Sequence, residues 1–403
     1  MPDTTPHIHT IYLYPKDPLF FRDGRPFSMG EDTNATLLFP PMPSVFYGAL
    51  RGLIAAHNGS RDGKEAAEMT KNVVIHSINL WYSEQAAPGS VGDSEDWYAS
   101  SFPLPLDVVI FKNDNHTSGL QFCSKQGQID SSKFADYQLK ASKSEKTNDA
   151  DGFLIKKTRL AKYLSNGSAS FEIDRDLIKL SDYSTTEAKI GIGRDRATQT
   201  TAQSKLYSMS MLRTEWVEYL RDKTWTNRQL CFAIAFSIGT ESITLPETGF
   251  VKLGADGKIA QFSRFDRLPT PIAKPKFTDG DQFFKLYLAT PAIWDNKPDI
   301  AIPNPILNDS TSLCDIADMV VCAVGKPIYV GGFDMATNQP KTMQRAVPAG
   351  SVYYFKLKKQ GDSAKQLNRI VEQIHNTCIS AQRANEGFGM VFIGKVDTQF
   401  LNP

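Results

Sequence analysis

A glycine-rich turn that leads straight into an apolar strand is the feature that most constrains this chain. The stretch GFGMVFIG occupies residues 387–394, close to the end of the sequence. Glycine adopts backbone conformations with positive φ and lets a second backbone come close. Such a turn either feeds a core strand or leaves a rim of exposed N–H groups that suits a phosphate. Similar segments at residues 249–258 and 329–334 predict further turns of this kind.

The apolar segments predict an α+β chain in which one pattern occurs twice. Strands are predicted where β-rich apolar runs occur, at residues 7–14, 73–82, 104–111, 230–238, 283–289, 349–357 and 390–393. Ser44 is a suitable N-cap for a helix whose apolar face continues to Ile54, and residues 364–378 predict a second helix. Residues 313–324 are apolar enough for either a helix or a strand.

Prolines at positions 269, 271 and 275 mark a linker, after which the pattern restarts. The sequence therefore predicts two domains, residues 1–268 and residues 269–403. Residues 112–176 are rich in Ser, Asn, Asp, Gln and Lys, and predict a long polar insertion in the first domain, part of it mobile. Residues 189–212 read as strand, basic turn and strand, and predict a projecting β-hairpin.

Composition excludes several classes of protein. The formal net charge of +1 provides no overall field that would draw the chain to nucleic acid or membrane, so RNA contacts need local basic patches. Five scattered cysteines without a CxxC pair argue against a disulfide framework and a zinc site, and fit a reducing compartment. No run of eighteen apolar residues occurs, and the first residues are polar. These features predict a soluble cytoplasmic protein with no membrane contact.

Catalytic and cofactor motifs are missing from the sequence. GxxxxGK[ST], GxGxxG after a strand, HExxH and GxSxG are all absent, and no cofactor or metal is predicted. His9 or His57 could serve as a general base, although dispersed histidines are more often surface or core residues. We expect a protein that is not an enzyme.

Three segments together point to a family. They are DPLFFRDGRPF at residues 17–27, FPPMPSVFYGALR at residues 39–51, and GGFD at residues 331–334 followed by AVPAGSVY at residues 346–353. In this order, and with GRDR at residues 193–196 between them, they resemble the third subunit of the type III-B CRISPR effector, the Cmr complex. That family belongs to the RAMP superfamily of RNA-binding proteins. The resemblance fades in the polar stretch at residues 112–176.

The resemblance implies two ferredoxin-like (RRM-like) domains and a place at the foot of a ribonucleoprotein that acts in antiviral defence. The subunit would hold the 5′ tag of the guide RNA and contact the large Cas-ten-type subunit and the neighbouring RAMP backbone subunit. Target RNA would be met only indirectly, and cleavage would belong to other subunits.

The same resemblance, together with residue chemistry, selects candidate RNA contacts. Arginine can bind a phosphate through two N–H donors at once, and the first residues of a helix have free N–H groups that bind anions. Glycine allows an RNA backbone to come close. The candidates are Arg22, Arg25, Ser44, Gly48, Arg51, Arg194, Arg196, Lys341, Arg345, Gly387 and Gly389. Phe20, Phe21 and Phe27 could stack a base, with core packing as the alternative for at least two of them.

Two other functions stay open on the sequence. A metal-independent guide-processing ribonuclease would need a histidine, or a tyrosine and lysine set, beside the scissile phosphate. A pure assembly scaffold would touch no RNA, and would tolerate alanine at Arg22, Arg25 and Arg51.

Overall fold

The structure of this protein is a computed structural model. It describes residues 7–21, 34–35, 37–84, 99–112, 114–125, 136–148, 150, 152–167, 170–194, 197–198, 200–219, 225–239, 243–265, 270–295, 302–334, 337–359 and 361–401.

Two compact units make up the chain, and each collects three separate segments. The first unit contains Met1–Ala99, Ser181–Pro269 and Ile328–Arg345, and the second contains Ser100–Leu180, Thr270–Pro327 and Ala346–Pro403. These units do not coincide with a linear division of the chain. Domains 1–268 and 269–403 therefore stay a prediction about how the chain is organised.

The secondary structure is α+β, with mostly antiparallel strands and few helices. The helices of the described part are α1 (Pro43–His57), α2 (Gly63–Met69), α3 (Lys157–Asn166), α4 (Ile173–Asp176), α5 (Leu313–Ile316) and α6 (Ser363–Ile374). Its first strands are β1 (His9–Pro15), β2 (Asn34–Ala35), β3 (Val74–Glu84), β4 (Ala99–Pro103), β5 (Val108–Phe111), β6 (Thr117–Gly119), β7 (Gln121–Ser124), β8 (Tyr137–Lys140), β9 (Thr147–Asn148), β10 (Phe153–Lys156) and β11 (Leu177–Lys179).

The later strands complete both units. They are β12 (Thr185–Arg194), β13 (Thr201–Arg213), β14 (Glu215–Tyr219), β15 (Trp225–Ser237), β16 (Thr248–Lys252), β17 (Ile259–Phe265), β18 (Phe283–Leu288), β19 (Ala317–Ala323), β20 (Ile328–Val330), β21 (Phe333–Asp334), β22 (Gln339–Pro340), β23 (Gln344–Ala346), β24 (Val352–Leu357), β25 (Thr377–Cys378) and β26 (Met390–Lys395). In the described part of the chain, no helix is long and apolar enough to span a membrane.

The main sheet of the first unit has the strand order β3-β15-β1-β17-β16, and its neighbouring strands are antiparallel. Successive side chains of a strand point to opposite faces, so each strand contributes to two surfaces. One face is apolar, with Ile11, Leu13 and Ile234 almost fully buried. Helix α1 packs on this face, where the Phe46 ring lies 4.9 Å from the Phe232 ring.

The start of α1 differs from the prediction. Met42 is the N-cap residue and makes no side-chain cap bond, Pro43 is the first helical residue, and Ser44 is the second. The prediction of Ser44 as the N-cap is therefore wrong. Proline suits the first helical position because its φ is preset and its missing N–H would have no partner there anyway.

The hairpin predicted for residues 189–212 is present in the first unit as β12 and β13. These strands pair antiparallel from Thr185 opposite Arg213 to Arg194 opposite Thr201. Ile190 and Ile192 are 69% and 54% exposed, so the hairpin carries apolar side chains on its surface.

In the second unit, the main sheet has the order β19-β24-β18-β26-β25 with antiparallel neighbours. Helix α5 follows β18, and helix α6 connects β24 to the strands that close the sheet. The apolar stretch at residues 313–324, open between helix and strand, begins as α5 and continues as β19. Helix α6 buries Leu367, Ile370 and Ile374, the face that the sequence predicts.

The described residues of the polar stretch at residues 112–176 belong to the second compact unit, and several of them contribute to its core. The insertion in the first domain stays a prediction. Helix α3 buries Leu160, Tyr163 and Leu164, which are spaced to share one helix face. The few apolar residues of a polar segment therefore meet on one side, and composition alone conceals such a pattern.

A buried polar network lies in the same core. The Tyr163 hydroxyl donates to the Asp107 carboxylate, at 2.6 Å from Oδ2 and 2.8 Å from Oδ1, and the Tyr354 hydroxyl donates to Oδ2 at 2.6 Å. The Lys285 ammonium lies 4.0 Å from Asp107 Oδ2 and 3.3 Å from the centre of the Tyr163 ring. Burial lowers the pKa of Lys285 to about 8, and Asp107 opposes this shift.

Candidate RNA interface

The segment Ile328–Arg345 of the first unit is named here the Gly332 loop. It contains the predicted glycine turn at Gly331 and Gly332 and the two predicted RNA contacts Lys341 and Arg345. Strands β21 and β22 pair antiparallel, and β20 pairs with β23. The Lys341 N–H donates to the Gly332 carbonyl at 2.9 Å, which closes the loop. Gly332 has φ of +132°, a conformation that side chains rarely adopt. The stem of Lys341 lies 3.7 Å from where a Cβ of residue 332 would stand.

Aromatic and basic side chains of the Gly332 loop are open to solvent. Phe333 is 52% exposed and Tyr329 is 38% exposed, and Lys341 and Arg345 are also exposed. Within the described residues, Arg345 has no ion pair or side-chain hydrogen bond. Exposed rings offer stacking surfaces and exposed cations offer phosphate contacts, so this loop has the chemistry that single-stranded RNA needs.

The outer side of α1 carries Gly48 and Gly52, one turn apart. Both are exposed, and a Cβ at either position would meet no described atom within 4 Å. Neither glycine is therefore required for packing within the described part of the chain. A helix side without side chains permits the close approach of another backbone.

Replacing Gly48 with alanine is expected to stabilise the free chain by about 0.5–1 kcal/mol, because glycine inside a helix loses more conformational entropy than alanine. Urea unfolding of the full chain measures this change. Ala56→Gly, at an exposed position of the same helix, is the matched control and should destabilise by a similar amount. A loss of stability in G48A would contradict the open surface described for α1.

The structure gives Arg51 a partner inside the chain. Its Nε donates to Thr70 Oγ1 at 2.6 Å, and its guanidinium lies 5.4 Å from the centre of the Tyr47 ring. Arg51 thus ties α1 to the end of α2. This contact favours a structural role over a phosphate contact.

Other candidates lie outside the described part or in the core. Residues Arg22, Arg25 and Arg196 are not among the described residues, and only the backbone of Arg194 is described. Phe20 and Phe21 are 3% and 2% exposed, so both belong to the core rather than to a stacking surface.

The turn at Gly387 and Gly389 is buried in the second unit. The Gly389 N–H donates to the Pro291 carbonyl at 2.7 Å, and the Gly387 N–H donates to Ala384. Thr290 Oγ1 donates to the Gly387 carbonyl at 2.7 Å. The structure therefore favours the turn that feeds a core strand. The prediction of these glycines as RNA contacts is not supported, because their N–H groups are used within the fold.

Reactive groups are not assembled into a recognisable centre in the described ranges. No group of three or more His, Cys, Asp or Glu side chains is placed there to hold a metal. Burial raises the pKa of the Cys322 thiol to about 11 and that of Cys378 to about 12, which disfavours their thiolates. His57 lies exposed in the last turn of α1.

Sequence reasoning missed the network around Asp107 and the exposed Phe250 of β16. The network joins positions 107, 163, 285 and 354, and no local pattern links residues so far apart. Phe250 lies in one of the glycine segments, and its 65% exposure is visible only in the folded sheet.

An antiparallel α+β fold with aromatic and basic side chains on an exposed loop is compatible with a nucleic-acid-binding protein and does not by itself identify one. The family model described as CRISPR-associated protein (Cas_Cmr3) matches residues 11–396. The chain therefore belongs to this family, and the resemblance inferred from the sequence motifs is confirmed.

Two solved structures align with most of the chain. One is a cryo-EM structure of the type III-B Cmr-beta bound to cognate target RNA, with 17% identity and a TM-score of 0.42 over 90% of this chain and 94% of that chain. The other contains AMPPnP as well, in state 1, with 17% identity and a TM-score of 0.43 over 90% and 93%. No curated protein matches the sequence. The family assignment rests on the family match alone.

Proposed function

We propose that this chain is a non-catalytic RNA-binding subunit of a type III-B CRISPR effector. It holds the 5′ tag of the guide RNA and links the large Cas-ten-type subunit to the neighbouring RAMP backbone subunit. The observation that carries the proposal is the Gly332 loop, where exposed rings and exposed cations lie together in a chain of this family.

Charge supports a local rather than a global RNA contact. With a net charge of +1, the chain can grip RNA only where cations are concentrated. Lys341 and Arg345 would bind phosphates while Phe333 or Tyr329 stacks a base. Arg22, Arg25, Arg194 and Arg196 extend the proposed phosphate contacts, and Ser44 and Gly48 would receive the backbone at α1.

Sheet topology supports the ferredoxin-like part of the proposal. The elements β18, α5, β19, β24, α6 and β26 follow one another along the chain, and their strands lie in the order β19-β24-β18-β26. This is a split βαβ arrangement, typical of ferredoxin-like domains. In the first unit, β1, β3, β15 and β17 repeat the same spatial order, with α1 between β1 and β3.

The linking role is supported by the hairpin. Ile190 and Ile192 are large apolar side chains that water solvates poorly, and they lie near each other on β12. Exposed apolar side chains of this kind fit a protein partner.

The double variant K341A/R345A tests the proposal in complexes reconstituted with a fluorescein-labelled guide RNA that carries the tag. The logarithm of the RNA-binding constant falls linearly with the logarithm of the salt concentration. For single strands, each lost phosphate contact makes this slope shallower by about 0.7, so the double variant should make it shallower by about 1.4. Anisotropy titrations at several salt concentrations measure the slope, and co-purification of the large subunit reports the link.

Lys64→Ala/Lys71→Ala is the control, because it removes the same number of charges from exposed positions of the same unit, one in α2 and one just after it. An unchanged slope in K341A/R345A would remove the Gly332 loop from the RNA interface. Wild-type complexes that hold the large subunit but no guide RNA would favour the scaffold hypothesis.

A further inference from the structure

The β16 edge of the first unit's main sheet carries exposed side chains on the face that is opposite α1. Val251 and Gly249 of β16 point to the helix side, where a Cβ at residue 249 would meet the Phe262 ring at 2.9 Å. Because side chains alternate, Phe250 and Lys252 point to the other face. Phe250 is 65% exposed there.

The neighbouring strands continue this face with one half-buried glutamine and then a buried cluster. Gln261 of β17 is directly opposite Phe250, and Tyr14 of β1, directly opposite Gln261, is buried with Trp81, Cys231 and Ala233. Directly opposed Cβ atoms lie about 4.5–5.5 Å apart, so the Gln261 carboxamide lies beside whatever rests on the Phe250 ring. A carboxamide offers donors and an acceptor, which can pair with the edge of a base.

Positive charge is concentrated at the same end of the sheet. Lys252 is opposite Ile259, and the Lys16 N–H donates to the Ile259 carbonyl at 3.1 Å, so both lysines flank one residue of β17. Both are exposed, and neither has an ion pair within the described residues. Two carboxylates lie nearby. Asp17 accepts the Ile259 N–H at 3.0 Å but keeps its negative charge, and Asp256 pairs with Lys189.

We propose that Phe250, Gln261, Lys252 and Lys16 form a second contact for single-stranded RNA, named here the Phe250 platform. One base stacks on the Phe250 ring, the Gln261 carboxamide meets the edge of that base, and the lysines bind the adjoining phosphates. Lys252 is two residues from Phe250 along the strand, about 7 Å, which is within the reach of a neighbouring phosphate.

Charge complementarity selects RNA over a protein partner as the occupant. An apolar docking surface for a protein would bury its centre away from charges, whereas here the exposed ring adjoins two exposed cations and an amide. A basic groove with an interleaved aromatic ring is the arrangement that binds single strands without strong sequence preference. This inference rests on the proposed function, and it adds a site that the Gly332 loop does not include.

Phe250→Ala and Phe250→Trp in the full chain test the platform. The probe is a fluorescein-labelled, unstructured single-stranded RNA of ten nucleotides, and anisotropy measures its affinity. Loss of one stacked base should weaken binding by F250A about 5- to 150-fold, while F250W retains affinity. In F250W, the fluorescence of the new tryptophan should also be quenched when unlabelled RNA is added.

Phe400→Ala is the matched control, because Phe400 is an exposed phenylalanine of the second unit. Wild-type affinity in F250A, combined with weaker binding by K341A/R345A, would overturn the platform and leave the proposed function intact. A wild-type chain that does not bind this RNA, alone or in the complex, would overturn both. F250A that binds RNA normally but fails to join the complex would assign the surface to a protein partner and overturn the platform.

Discussion

Replacing Asp107 with alanine is expected to lower the free energy of unfolding by about 3–5 kcal/mol. The carboxylate accepts the Tyr163 and Tyr354 hydroxyls and faces the Lys285 ammonium, and all four side chains are at most 3% exposed. Its removal takes the nearest carboxylate from a buried cation and the acceptor from two buried hydroxyls. Urea unfolding followed by far-UV circular dichroism measures the loss.

Two further variants make this test specific. Asp114→Ala removes a half-exposed carboxylate of the same unit that pairs with the exposed Lys143 at 3.2 Å, and should change the unfolding midpoint much less. Lys285→Met in the D107A background should recover part of the lost stability, because it removes the unpaired buried charge. If D107A behaved like D114A, or if K285M recovered nothing, the network would not have the energetic role described.

Gly389→Ala is expected to cost about 2–6 kcal/mol of stability. Gly389 has φ of +73°, which is unfavourable for residues with a Cβ, and such strain costs about 1–3 kcal/mol. A Cβ would also stand 2.8 Å from Ser380 Cβ and even closer to the Ser380 backbone nitrogen, and overpacking of this kind costs about 1–3 kcal/mol more. The midpoint and slope of urea unfolding measure the sum.

Gly59→Ala separates the two contributions. Gly59 has φ of +74°, almost the same as Gly389, but a Cβ there would meet no described atom within 4 Å, so this variant has the backbone strain without the clash. We expect G389A to lose clearly more stability than G59A. Equal losses of stability in the two variants would mean that the turn rearranges around the added Cβ without a free-energy cost. Close packing would then not be the reason for glycine at position 389.

Local signals predicted much of the fold. Strands β15, β18 and β24 and helix α6 lie where apolar runs and helical spacing place them, because burial requires consecutive or periodic apolar residues. The hairpin of β12 and β13 was predictable for the same reason, since its turn and its strands are close in sequence. Family membership also followed from short motifs in a fixed order.

Long-range contacts explain why the sequence did not reveal the remaining features of the fold and of the candidate site. Helix α3 was concealed by its polar neighbours, and only the core that receives Leu160 and Tyr163 reveals its apolar face. The contact of Arg51 was not visible in the sequence, because its partner Thr70 is nineteen residues further along the chain. In the candidate site, the sequence pointed to Lys341 and Arg345 but not to Phe250, whose exposure depends on its edge position in the sheet.

By itself, the sequence determined the α+β character of this protein, the positions of its main strands and helices, and its family. The tertiary structure decided which segments share a compact unit, that the turn at Gly387 and Gly389 is buried, and that Asp107 gathers two tyrosines and a lysine. The reason is physical: secondary structure follows from neighbouring residues, whereas burial and charge pairing depend on residues that meet only after the chain has folded.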